Sequence, residues 1–171
     1  NMKRIIWLLW LVLLFIIPLG SFSFVWSQDQ TQLEDFQLSD FTLMTLDGQE
    51  ITLSKLTGKP VLLTFFLTTC SHCQAESASL NKVFNKYHVS KELQILAVAP
   101  RMDSRENLVK FIDEYQITYP ILHDQENQVL KLYGVIAVPH NIFIDREGKV
   151  KRVITGEVDL TTLEESLEEI W

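Results

Sequence analysis

The sequence predicts an α/β sandwich built around a mixed sheet, and three observations lead to that expectation. Apolar strand-like runs alternate with helical stretches from Val61 to Tyr133. Two further runs joined by Arg146-Glu147-Gly148 then read as an antiparallel hairpin followed by a last helix. The only two cysteines, Cys70 and Cys73, stand where the first buried strand gives way to the first helix.

Residues 2 to 28 have the makings of a targeting or anchoring segment. Lys3 and Arg4 form a basic start, and no charge follows until Asp29. Ile5 to Gln28 would extend ~36 Å as a helix, enough to cross a ~30 Å hydrocarbon core. Trp7, Trp10 and Trp26 lie near its two ends, where aromatic belts sit. The competing expectation is a cleaved signal peptide with its apolar stretch broken by Pro18 and Gly20. On either reading the basic end stays inside and the remainder is exported. Residues 29–35 are a polar linker, and 36–171 form one domain.

Within that domain, Phe41 to Met44 and Ile51 to Leu53 flank Asp47-Gly48, a strong hairpin signal. Ser54 to Pro60 turns the chain into the central strand, Val61 to Leu67. A helix is expected from Ser71 to Tyr87, with Leu80, Val83, Phe84 and Tyr87 as its inward stripe. Leu93 to Ala99 reads as a second buried parallel strand, and Asp103-Ser104 as the cap of a helix carrying Leu108, Phe111, Ile112 and Tyr115. Tyr119 to Leu122 is expected as a short strand, and Asn127 to Tyr133 as a short helix stopped by Gly134. The closing hairpin pairs Asn141–Asp145 with Lys149–Ile154. The last helix spans Leu160–Ile170, with Asp159 as its cap and Leu163, Leu167 and Ile170 facing inward.

The formal charge is −7, and −9 once Lys3 and Arg4 are set aside, which argues against a nucleic-acid partner. The cysteine spacing argues for chemistry. A structural bridge gains stability from the loop it closes, and a two-residue spacer closes almost none. At a helix N-terminus the unpaired N–H groups and the macrodipole favour a thiolate. Redox exchange is the leading expectation, with a metal site and a structural staple as alternatives.

The arrangement resembles the thioredoxin superfamily, and within it the membrane-anchored TlpA/ResA-type thiol–disulfide oxidoreductases. The resemblance runs through Asp40-Phe41-Thr42-Leu43, Gly58-Lys59-Pro60-Val61, Cys70-Ser71-His72-Cys73 with Glu76, and Tyr133-Gly134-Val135. It closes with Val138-Pro139, Phe143-Ile144-Asp145 and Gly148-Lys149-Val150. It implies a thioredoxin-like fold with an N-terminal β-hairpin extension. It also implies that Val138-Pro139 is a cis-proline loop beside the cysteines, leaving the Val138 backbone to receive a substrate strand. Cys70 would be the nucleophile, its pKa lowered towards ~3.5–7.5, and the more buried Cys73 the resolving thiol. The redox group would be the Cys70–Cys73 disulfide itself, with no cofactor or metal. The expected partners are an exported protein disulfide or thiol and a transmembrane electron donor or acceptor. The expected protein is a monomer, held at the outer face of a bacterial cytoplasmic membrane or in the periplasm, with cytochrome c biogenesis as one candidate role.

Several positions depart from the family. Thr69 stands where a Trp is usual, and Ser71-His72 where a Pro commonly precedes the second cysteine. A His there is a feature of strongly oxidising DsbA-like proteins, so His72 is expected to tune the redox pair, with a solvent-facing His as the bland alternative. Glu76 is expected to be a solvated helix residue, the alternative being proton exchange with Cys73. His140 either faces the site or sits at a strand edge. His88 and His123 are expected on the surface. A Sco-like copper metallochaperone using Cys70, Cys73 and His140 is the rival class, although that group usually has three residues between its cysteines.

Overall fold

The computed structural model describes residues 38–171. The expected anchor or signal segment (1–28) and linker (29–35) lie outside the described residues, as do the first two residues of the expected domain. Along the chain come β1 (Thr42–Met44), β2 (Glu50–Thr52), a 3-10 turn (Leu53–Leu56), β3 (Val61–Phe65) and α1 (Ser71–Tyr87). These are followed by β4 (Gln94–Pro100), α2 (Arg105–Tyr115), β5 (Ile121–Asp124) and α3 (Gln128–Leu132). The chain ends with β6 (His140–Ile144), β7 (Val150–Thr155) and α4 (Leu160–Glu168).

All five residues of β3 are buried because β3 is the middle of a five-stranded sheet in the order β5-β4-β3-β6-β7. It pairs parallel with β4 and antiparallel with β6, while β4 pairs parallel with β5 and β6 antiparallel with β7. A strand covered on both faces carries a continuous apolar run instead of an alternating one. The strand period of two still sorts its side chains. Leu62 joins Cys73, Leu80 and Val83 of α1, Leu108 and Phe111 of α2, and Leu163 and Leu167 of α4. Leu63 and Phe65 face the other way, onto Phe41, Leu53, Val129 and Tyr133. The three long helices therefore cover one face, and the N-terminal segment, the 3-10 turn and α3 cover the other. Each fully buried Leu or Phe in these layers contributes roughly 1.5–3 kcal/mol of transfer free energy.

The N-terminal hairpin forms a separate two-stranded sheet with Thr42 opposite Thr52. Its turn places Gly48 at φ 88°, a conformation that costs glycine little and a side-chain-bearing residue more. The hairpin is fastened to the edge of the main sheet by a bridge between Thr45 and Leu122 and by the Leu46 N–H donating to the Ile121 carbonyl at 3.2 Å. The Tyr133 hydroxyl donates to the Ser39 carbonyl at 2.6 Å.

Four local expectations are corrected. The third strand begins at Ile121, not Tyr119, because Pro120 has no N–H to give to a ladder and only its carbonyl pairs, with Ala97 N. His123 consequently lies within β5 and is half-buried instead of exposed. The last helix stops at Glu168, yet Ile170 beyond it is fully buried. Ser104 alone caps α2, accepting from Asn107 N, and Asp103 turns inward to another task.

Candidate active site

The junction of β3 and α1 is built so that a sulfur replaces the usual capping oxygen. Cys70 is the N-cap of α1, in extended conformation, and its Sγ accepts the Cys73 N–H at 3.3 Å. An N-cap acceptor satisfies one of the donors that every helix start leaves unpaired, and the same end of the helix receives negative charge. On its other side the Cys70 thiol donates to the Val138 carbonyl at 3.8 Å. The Val138–Pro139 peptide bond is cis. Cys70 is partly exposed and Cys73 is 3% exposed, and both are thiols in this structure. Burial pushes the Cys73 thiol far above the ordinary cysteine range, assisted by its hydrogen bond with Cys70 and by the nearby charges of Cys70 and Glu76. An accessible sulfur with amide support beside a buried, reluctant thiol is an asymmetric pair suited to attack and resolution.

Glu76 is not solvated. It is 2% exposed, one helical turn beyond Cys73, on the face of α1 turned to the sheet. Asn141 of β6 donates its Nδ2 to Glu76 Oε1 at 2.7 Å, and the Val158 backbone also hydrogen-bonds to the carboxyl. Burial nonetheless dominates and raises the carboxyl to about 8, with the Glu157 charge pushing the same way. The buried acid also bears on Tyr119, whose hydroxyl is held well above its ordinary value by burial and by the charges of Glu76 and Cys73. The inward stripe of Leu80 and Val83 runs back to position 76 at spacings of four and seven, so the helical period itself places Glu76 on the inner face. Asn141, a fully buried polar residue within β6, is the partner that meets it there.

The two histidines go to different places. His72, on the outer side of the first turn of α1, pairs through Nδ1 with Glu157 Oε2 at 2.8 Å. His140 is paired across the sheet with Phe65 and shares its face, away from α1. Its Nδ1 bonds Thr155 Oγ1 at 2.8 Å, its ring lies 6.1 Å from that of Phe65, and burial lowers its pKa. Of the residues singled out in the sequence, the structure thus groups Cys70, Cys73, Glu76, Val138 and Pro139, keeps His72 at the rim and turns His140 away. An open groove runs from His72 past Val138 and Pro139 to Glu157 and Thr162.

Asp103 belongs to the site and was read only as a helix cap. It is 2% exposed, and its carboxylate receives both the N–H of Thr68, at 2.9 Å, and the Thr68 hydroxyl. Gln74 of α1 donates to the Thr68 carbonyl at 2.7 Å. The approach to Cys70 is therefore clamped from the β4–α2 loop and from the helix itself.

Residues 35–153 match the AhpC/TSA family. The chain is 37% identical to the thiol-disulfide oxidoreductase ResA of Geobacillus thermodenitrificans over 131 residues, covering 77% of this chain and 74% of that one. It is 32% identical to the ResA of Bacillus thuringiensis subsp. konkukian over 169 residues, covering 95% and 96%. Among solved structures it is similar to a candidate thiol:disulfide interchange protein DsbE from Chlorobium tepidum. That match has a TM-score of 0.69 and 28% identity, and covers 76% of this chain and 92% of the other.

Proposed function

The chain belongs to the AhpC/TSA family and is a thiol–disulfide oxidoreductase of the ResA/DsbE type, and from that premise we propose that it reduces disulfides in exported proteins at the outer face of a membrane. The observation that carries the chemistry is the pairing of a partly exposed Cys70 at a helix N-cap with a buried Cys73 beside an acid raised to about 8. Residues 36–171 serve as the catalytic domain. The anchoring role of residues 2–28 rests on Lys3 and Arg4 ahead of a long uncharged stretch.

In the reductive direction the Cys70 thiolate attacks one sulfur of a substrate disulfide. A Cys70–substrate mixed disulfide forms, and the substrate's other sulfur leaves and takes a proton. Cys73 then loses its proton and attacks Cys70 Sγ, which releases the second substrate thiolate and closes the Cys70–Cys73 disulfide. Two electrons have passed to the substrate. The expensive step is the deprotonation of Cys73, and Glu76 is the group next to it. Ionised only as pH rises through about 8, its carboxylate is a stronger base than an ordinary glutamate and better matched to a reluctant thiol. The disulfide is the enzyme's own redox group, and a membrane-embedded electron donor restores the dithiol. Apocytochrome c, with its paired haem-site cysteines, is a substrate of suitable chemistry. The orientation of His140, away from α1, works against its serving as a third ligand beside the cysteines, and so against a copper-carrier reading.

The test uses the full chain and an insulin disulfide as probe. Cys70→Ser abolishes turnover, and Cys73→Ser accumulates a mixed disulfide through Cys70. Turnover that survives Cys70→Ser refutes the assignment. The equilibrium with glutathione sets the direction. A potential below about −250 mV supports reduction, and one above about −150 mV makes the protein an oxidant, judged against thioredoxin at ~−270 mV and DsbA at ~−120 mV.

A further inference from the structure

The three residues that follow β7 each touch a different neighbour of the dithiol: Pro139, His72 and Glu76. The Gly156 N–H donates to the Pro139 carbonyl at 2.8 Å, which fixes the loop to the cis-proline segment. The Glu157 side chain turns outward and holds His72 Nδ1 at 2.8 Å. The Val158 backbone turns inward and hydrogen-bonds Glu76. Glu157 and Asp159 are the acidic side chains lining the groove that His72 borders. Asp159 is committed to capping α4, where it accepts from Thr162 N at 2.8 Å. Glu157 has no such duty, and its carboxylate meets the one basic side chain lying between the two cysteines.

We propose that Glu157 is a positioning residue that pins the His72 imidazole away from Cys70 and so keeps the dithiol from becoming a strong oxidant. The proposal rests on the oxidoreductase reading above. An imidazolium close to Cys70 stabilises the thiolate, hence the reduced protein, and makes the disulfide more oxidising. Tethered to Glu157, the ring is held at the groove wall against a carboxylate. The charged side chains that share the groove with His72 are Glu157 and Asp159 from the loop. Val138 and Pro139, on the remaining side, bring no charge. Release of the tether therefore lets the ring turn towards the sulfur.

The reaction that reads this out is the exchange of protein disulfide and two glutathione thiols for protein dithiol and glutathione disulfide. One S–S bond breaks, one forms, and two electrons and two protons pass to the protein. The equilibrium constant is measured on the full chain for the wild type, Glu157→Gln, His72→Asn and the double variant. Both side chains are substantially exposed, so the variants fold. Glu157→Gln is expected to shift the equilibrium about threefold towards the dithiol, the scale of an exposed ion pair. His72→Asn is expected to change little while Glu157 is present and to reverse the shift once Glu157 is Gln. An unchanged constant in Glu157→Gln, or effects of the two substitutions that simply multiply, overturns the proposal while wild-type exchange leaves the enzyme reading intact. A wild type that does not exchange with glutathione at all overturns both.

Discussion

Replacing Glu76 with Gln isolates the energetic cost of burying an acid one helical turn beyond Cys73. Gln keeps the shape and the oxygen that accepts from Asn141 Nδ2, but it cannot ionise. Unfolded, Glu76 gives up its proton near the ordinary glutamate value of 4.5; folded, it does so at about 8. Between those limits folding takes up a proton. The stability that belongs to the neutral acid is therefore fully present below about 4.5 and is lost as pH rises through about 8. At ~1.4 kcal/mol per unit, the wild type should fall behind Glu76→Gln by about 2 kcal/mol at pH 6 and about 4 kcal/mol at pH 8, with the curves meeting near pH 4.5. Solvent screening trims this little, because the residue is 2% exposed. Urea unfolding of both proteins under reductant, from pH 4.5 to 8.5, gives the difference directly, and every other titrating group cancels in it. Turnover supplies a second arm: the resolving step should accelerate with pH through about 8 in the wild type and lose that rise in the variant. Stability curves that stay parallel across the range would refute the argument, for they would mean that the folded carboxyl titrates as it does in the unfolded chain.

Two further substitutions probe the groups around it. Asn141→Leu removes the hydrogen bond that favours the Glu76 carboxylate, so the titration of Glu76 should move upward from about 8, followed by the same pH-dependent unfolding or by carboxyl NMR. Asp103→Ala strips the acceptors from the Thr68 N–H and hydroxyl and should cost roughly 2–3 kcal/mol of stability, as expected for buried donors left unpaired. It should also loosen the approach to Cys70, seen as a changed alkylation rate of that thiol. An unaltered rate and stability would show that the clamp is idle.

Much of the fold was legible because its determinants are local. The helix α1 spans Ser71–Tyr87 as its stripe and its cysteine start required, and Asp47-Gly48 specified the first turn. Asp159 capped α4 as its position implied. Boundaries slipped where a neighbour in space decided them. Pro120 delayed β5 because the ladder to β4 needs an N–H that proline lacks, and His123 was carried inward with the shifted strand. Asp103 was misassigned because the same residue type in the same place serves equally as a helix cap, and only the approach of Thr68 from 35 residues earlier distinguishes the two.

The site was legible in its sulfurs and hidden in its acids, for a physical reason. A Cys-x-x-Cys pair carries its chemistry within four residues, so its position on a strand-to-helix junction is nearly enough to read it. An acid acquires its role only from what surrounds it. Glu76 and Glu157 are both glutamates near the same sulfurs. One is sealed under α1 against Asn141, where burial keeps it protonated at neutral pH; the other lies in solvent against His72. Those environments are assembled by β6 and by the loop after β7, 65 and 85 residues from their partners in α1. The pairings are complementary in consequence. On the functional reading proposed above, the buried acid would supply a base for the slow thiol, and the exposed one would restrain the imidazole beside the fast thiol. The direction of electron flow is therefore to be sought less in the two residues between the cysteines than in the loop that faces them.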